Sequence, residues 1–158
     1  MVLDNFIPCG PDGAPCFSHA NSNELWVIML EKAWAKIHGS YERIIGGASH
    51  FVLRDLTGAP SFEFSADEPG AFQKVLDGDK KGYAMLTGIN QKSHEETERL
   101  RELGLASEHS YGLISAAEVI DAQGNQAQLV KLRNPWGNFE WKGRWSDHSD
   151  CWTEELKQ

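Results

Sequence analysis

The stretch His109–Asn134, HSYGLISAAEVIDAQGNQAQLVKLRN, decides the fold. Two β-type runs, HSYGLISAAEVI and QAQLVKLRN, flank the polar, glycine-containing turn Asp121 to Asn125, which predicts an antiparallel hairpin. His109 opens the first strand and Asn134 closes the second, so folding about Gly124 carries both to the open end. A strictly regular register leaves them about five positions out of step, a gap that a bulge or a slanted strand end has to close.

Upstream of the hairpin, the pattern is mixed. VLDNFI (Val2 to Ile7) reads as a short strand, followed by a Pro/Gly loop around Pro8, Gly10, Pro11, Gly13 and Pro15. NSNELWVIMLEKAWAKIHGSY predicts a long helix, about 22–38. Asn21 to Asn23 offer its N-cap, Trp26, Met29, Leu30, Ala33, Trp34 and Ile37 form one stripe, and Gly39 stands at its left-handed stop. FVLRDLTG (Phe51 to Gly58) reads as a short strand or extended linker. DEPGAFQKVLDGDKKG predicts a short helix with Phe72, Val75 and Leu76 inward, and GYAMLTGI a strand. In SHEETERLRELG, Ser93 and Glu96 have capping-box spacing and Gly104 is the stop. Helices mixed with antiparallel strands give the class α+β.

The chain has 158 residues, a net charge of -8 and no Lys/Arg cluster. That balance argues against binding nucleic acid or an anionic membrane. No apolar run approaches a membrane span. Three cysteines at irregular spacing, Cys9, Cys16 and Cys151, make neither a disulfide framework nor a zinc pattern, so a reducing, cytoplasmic setting is expected.

A His beside an Asn is the base-and-orienter part of a thiol protease site. The imidazole takes the thiol proton, and the amide oxygen accepts from the other ring nitrogen. The bland readings are that a His at a strand start is a satisfied surface or core residue, and that an Asn before Pro starts a turn.

EHSYGLISAAEV followed by LVKLRNPWGNFEWKGRWSDHSDCW resembles the C-terminal half of the calpain protease core, with its His-Ala-Tyr strand and Arg-Asn-Pro-Trp-Gly segment. NELWVIMLEKAWAKIHGSYE is similar to that family's helix, VLDNFIP to the strand before it, and FVLRDLTGAP to the crossover between its two half-domains. The similarity is weakest from about Ser61 to Leu103. It implies a papain-like α+β fragment whose antiparallel, barrel-like half carries flanking helices. Residues 1–57 would be the C-terminal part of the first half-domain, and residues 58–158 most of the second.

By the same resemblance, His109 is the general base, Asn134 the orienter and Trp136 a cleft-shielding tryptophan. Glu24 matches a calcium ligand of the first half-domain, and Glu140 and Asp147 match ligands of the second, although both sets look incomplete. Protein substrates are implied. Trp141 and Trp145 are expected to be mainly core on composition.

Departures from the family qualify this. Its nucleophile is a Cys in a Gln…Gly-Asp-Cys-Trp setting, which none of the three cysteines has. Cys151-Trp152 imitates the motif, but it follows Asn134 and lacks the upstream glutamine. Glu108 and Ser110 flank the His where the family usually has Gly and Ala. The expectation is therefore part of a calcium-dependent cysteine endopeptidase core, inactive until a Cys-bearing half-domain joins it. The alternative is a non-catalytic calpain-like module that binds a protein or calcium.

Overall fold

The computed structural model describes residues 2–19, 23–90, 92–137 and 139–157. The chain forms two compact units, Met1–Ala48 and Ser49–Gln158.

The first unit is built on α1 (Trp26–His38), which Gly39 ends at φ 98°, the left-handed stop expected of it. Its start differs from the expectation. Leu25 occupies the N-cap position with no side-chain cap, while Asn21 and Ser22 lie outside the described residues. The buried row also differs: Ile28 and Ala35 face inward, whereas Trp26 and Ile37 remain 62% and 64% exposed. The cause is what covers the helix. Glu31, on the Ile28–Ala35 side, accepts from the backbone N–H and hydroxyl of Ser18 at 3.1 and 2.7 Å. Lys32 bonds the carboxylate of Asp4 and the carbonyls of Asp4 and Phe6, and Lys36 donates to the Val2 carbonyl at 2.6 Å. These carbonyls accept from ammonium groups rather than from a partner strand, so the strand expected at Val2 to Ile7 does not form. Among the described residues of this unit, backbone pairing of β type is confined to the bridge Cys9–Pro15.

The second unit opens with a further correction. Phe51 to Gly58, read as a strand or extended linker, belongs to helix α2 (Ser49–Thr57). The Thr57 hydroxyl donates to the Leu53 carbonyl at 2.6 Å, and Gly58 N–H to Arg54 at 2.7 Å with φ 70°. Arg54 sits 4.9 Å over the Phe51 ring, a pairing that i,i+3 spacing on a helix permits. α3 (Ala71–Lys80) packs on the sheet through buried Ala71 and Gly78 with Phe72, Val75 and Leu76 half-buried. α4 (His94–Glu102) carries the expected capping box, Ser93 Oγ accepting from Glu96 N–H at 3.3 Å and the Glu96 carboxylate from Ser93 N–H at 3.3 Å.

Three antiparallel strands, β1 (Met85–Ile89), β2 (His109–Ile120) and β3 (Gln126–Arg133), form a sheet in the order β1-β2-β3. The α+β class is thus as the sequence implies. Ile120 pairs with Gln126, but Leu113 pairs with Leu132 while Ser115 pairs with Lys131, so Ile114 is the extra residue of a bulge in β2. Asp79 Oδ2 accepts from Ala116 N–H at 3.0 Å, tying α3 to the strand beside that bulge.

The turn closing the hairpin is organised by one buried carboxylate. Asp121, its side chain 1% exposed, accepts from the N–H groups of Asn125 and Gln123 at 2.8 and 3.0 Å and from Arg144 at 3.2 Å. These bonds, led by the Asn125 N–H, hold its pKa below the ordinary carboxylate value. A depressed folded-state pKa contributes stability above the unfolded value, roughly pH 4, that is lost as pH falls through the folded one. Asp121→Asn is therefore expected to lower the urea midpoint most near neutral pH. The gap from the parent chain should narrow steadily as pH drops below about 4; an unchanging gap would contradict the assignment.

Candidate active site

The site begins at the start of β2. Glu108, exposed, takes a left-handed φ of 52° and donates its N–H to the Ile89 carbonyl at 2.7 Å. Left-handed backbone at a non-glycine residue is uncommon and costs conformational energy. Beyond it, Ile89 pairs with His109 and Gly88 with Ser110. A Cβ on Gly88 would come within 2.8 Å of the His109 carbonyl oxygen, so glycine permits the close approach of β1 beneath the base.

The register brings the candidate pair together. Gly112 faces Arg133, so the same register sets Asn134 opposite Tyr111, two residues from His109 on the same face of β2. Of the five positions, the bulge at Ile114 supplies one and a turn centred one residue earlier than Gly124 supplies two, and the two side chains span the last two along one face of β2. His109 Nε2 and Asn134 Oδ1 lie 2.9 Å apart.

The network around Asn134 fixes its amide. Nδ2 donates to the Phe139 carbonyl at 3.0 Å, so Oδ1 faces both His109 and the Trp136 N–H, which donates to it at 3.1 Å. A carbonyl oxygen accepts only, so His109 Nε2 carries a proton, and in the neutral imidazole Nδ1 is the nitrogen left to accept. Gly137 N–H donates to the Asn134 backbone carbonyl at 3.2 Å, closing Asn134-Pro135-Trp136-Gly137 as a turn. The two readings of Asn134 coincide: it starts a turn, and its oxygen orients an imidazole.

Aromatic rings flank the base. Trp136, 58% exposed, lies with its ring centroid 4.0 Å from that of His109 at an interplanar angle of 32°. Tyr111 stands edge-on at 4.8 Å and 79°. The remaining tryptophans are local staples more than deep core. Trp145 meets Trp152 edge-on at 4.8 Å, and the Trp141 indole N–H donates to the Arg144 carbonyl at 2.6 Å with the ring still 38% exposed.

Cys151 lies elsewhere. Its carbonyl accepts from Ala122 N–H at 3.0 Å, at the turn end of the hairpin. β2 separates that end from His109 by its 12 residues, roughly 35 Å at an ordinary strand rise. Cys151 is 2% exposed, and hydrogen bonding with Ser149, then Arg144, lowers the pKa of its thiol. Cys9 and Cys16 are exposed in the loop of the first unit.

The carboxylates expected to bind two calcium ions are divided between the two units. Glu24, in the first unit, accepts from the Trp26 indole N–H at 3.0 Å, while Glu140 and Asp147 are exposed in the second. Ca²⁺ takes six to eight oxygens; among the described residues no three Asp, Glu, His or Cys side chains stand where they could hold a metal. The described side chains alone do not fit that ion.

An imidazole that can accept at Nδ1 and is bonded through Nε2 to an amide oxygen has the arrangement that a base and its orienter need. The chain belongs to the calpain family of cysteine proteases, whose family model, Calpain family cysteine protease, matches residues 1–158. It is 37% identical over 99% of its length to the calpain-type cysteine protease ADL1 of Oryza sativa subsp. japonica, and 36% identical over 99% to the calpain-type cysteine protease DEK1 of Zea mays. It is 34% identical over 96% of its length to human calpain-9. The chain spans 7% of each plant relative and 22% of calpain-9.

Residue patterns missed three contributors. Tyr111 was legible as the i+2 neighbour of His109 on a strand, whereas Gly88 and the Phe139 carbonyl act through backbone positions that carry no side-chain signal.

Proposed function

We propose that this chain supplies the general base and its orienter to a calcium-dependent cysteine endopeptidase core acting on protein substrates. The observation that carries the reading is the 2.9 Å contact between His109 Nε2 and Asn134 Oδ1. In this mechanism Nδ1 takes the proton of a cysteine thiol, and Asn134 Oδ1 stabilises the resulting imidazolium. The thiolate attacks the scissile carbonyl carbon, the imidazolium returns its proton to the leaving amine, and water then hydrolyses the thioester. Trp136 shields the charged pair from water.

The thiolate comes from a cysteine-bearing segment outside these 158 residues, so this chain alone does not cleave peptides. Glu24 contributes to one calcium site, and Glu140 and Asp147 to another, each completed by oxygens from elsewhere. Free cysteines suit a reducing, cytoplasmic setting.

The test is to mix the chain with a cysteine-bearing calpain half-domain and follow a fluorogenic peptide with and without calcium. Cleavage should require both partners and calcium, and Cys151→Ala should leave it unchanged. Cleavage by the chain alone, or its loss in Cys151→Ala, would overturn the reading. A mixture that stays inert but binds calcium tightly would favour a regulatory module instead.

A further inference from the structure

We infer that Tyr111 is a positioning residue for His109, holding the imidazole plane that the Asn134 bond alone leaves free to swing; this rests on the proposed role of His109 as base. One hydrogen bond at Nε2 fixes a point and a direction, but the ring can still turn about that axis. Two walls remove this freedom. Trp136 covers the imidazole at 4.0 Å, yet it is 58% exposed on a turn. Tyr111 is the firm wall: it is 4% exposed, shares the face of β2 with His109, and meets the imidazole edge-on at 4.8 Å.

The tyrosine is itself fixed at its far end. Its hydroxyl oxygen accepts from the Ala106 N–H at 2.7 Å, in the loop joining α4 to β2. This bond satisfies a backbone donor and keeps the ring from rotating away from the imidazole. The chain order α4, Ala106, His109, Tyr111 thus makes a brace. The Ala106 N–H fixes the hydroxyl, the hydroxyl fixes the phenol ring, and the ring fixes the base. Phenylalanine would keep the wall and lose the brace; leucine would lose both.

Tyr111→Phe and Tyr111→Leu separate these contributions. The first measurement is the side-chain ¹⁵N spectrum of His109 in the chain, which reports the Nε2–H tautomer. The parent should show a single Nε2–H form. Tyr111→Phe should let the ring swing off the Asn134 oxygen and so mix the tautomers that this bond selects, while retaining a cooperative thermal transition. In the core reconstituted with its cysteine-bearing partner, Tyr111→Phe is expected to lower kcat about fivefold at unchanged KM, and Tyr111→Leu roughly a hundredfold. If both the Tyr111→Phe tautomer and its kcat match the parent while His109→Ala is inactive, the brace is wrong and the base assignment stands. If His109→Ala cleaves normally while the Tyr111 variants disturb the tautomer, the base assignment is what fails.

Discussion

His109→Ala is expected to lower kcat of the reconstituted core by about 10⁴-fold with little change in KM, because the thiol then loses its only positioned proton acceptor. Asn134→Ala should cost less, roughly a hundredfold. Water can accept from Nε2–H in place of the amide, but it neither selects the tautomer nor stays in place as imidazolium forms. The Asn134 loss has a structural component too, since Oδ1 also receives the Trp136 N–H and Nδ2 holds the Phe139 carbonyl. Asn134→Asp tests this division: the carboxylate keeps an acceptor towards His109 and gives up the donor to Phe139. Steady-state cleavage of a fluorogenic peptide reads all three variants. Retention of full activity by His109→Ala would remove the thiol protease reading altogether.

Gly104→Ala is expected to be the most damaging single methyl in the second unit. Gly104 adopts φ 84°, and a Cβ there would overlap the carbonyl of Glu140 and press on Trp141 Cα at 3.1 Å. Both neighbours are backbone, held in place by the Lys142 N–H bond to the Leu103 carbonyl at 2.9 Å. No side chain can swing aside. The left-handed conformation alone costs about 1 kcal/mol for alanine, and the overlap should raise the total to at least about 3 kcal/mol. For a chain of this size that corresponds to roughly 10 °C in Tm. Gly82→Ala is the matched control, with φ 69° and nothing within 4 Å of its Cβ. Equal losses for the two variants would show that α4 does not press so closely on the 140–142 segment.

The hairpin was legible because its signals agree: β-rich runs, a polar turn with glycine at Gly124, and strand limits at His109 and Ile120 that the structure reproduces. α4 was equally legible from the Ser93–Glu96 spacing, which specifies two reciprocal bonds at one helix end. Val2 to Ile7 and Phe51 to Gly58 misled for a shared reason. Their apolar residues suit a strand, but a strand requires a neighbour, and local composition does not say whether one exists. Lysines of α1 took the carbonyls of the first, and intrahelical bonds closed the second. At the site, residue type identified His109 and Asn134, but register decided their contact. The bulge at Ile114 carries no compositional mark, and the buried Asp121 looks in sequence like any acidic turn residue.

His109 and Asn134 belong to one contiguous hairpin, closed by the short turn Asp121–Asn125. Their meeting therefore depends on a local search of the chain rather than on the docking of distant segments. Contacts of this kind belong to the fast end of folding, where hairpins form in roughly microseconds while long-range pairings take far longer. On the proposed function, the His109–Asn134 pair forms early, before any slower assembly that brings in the thiol.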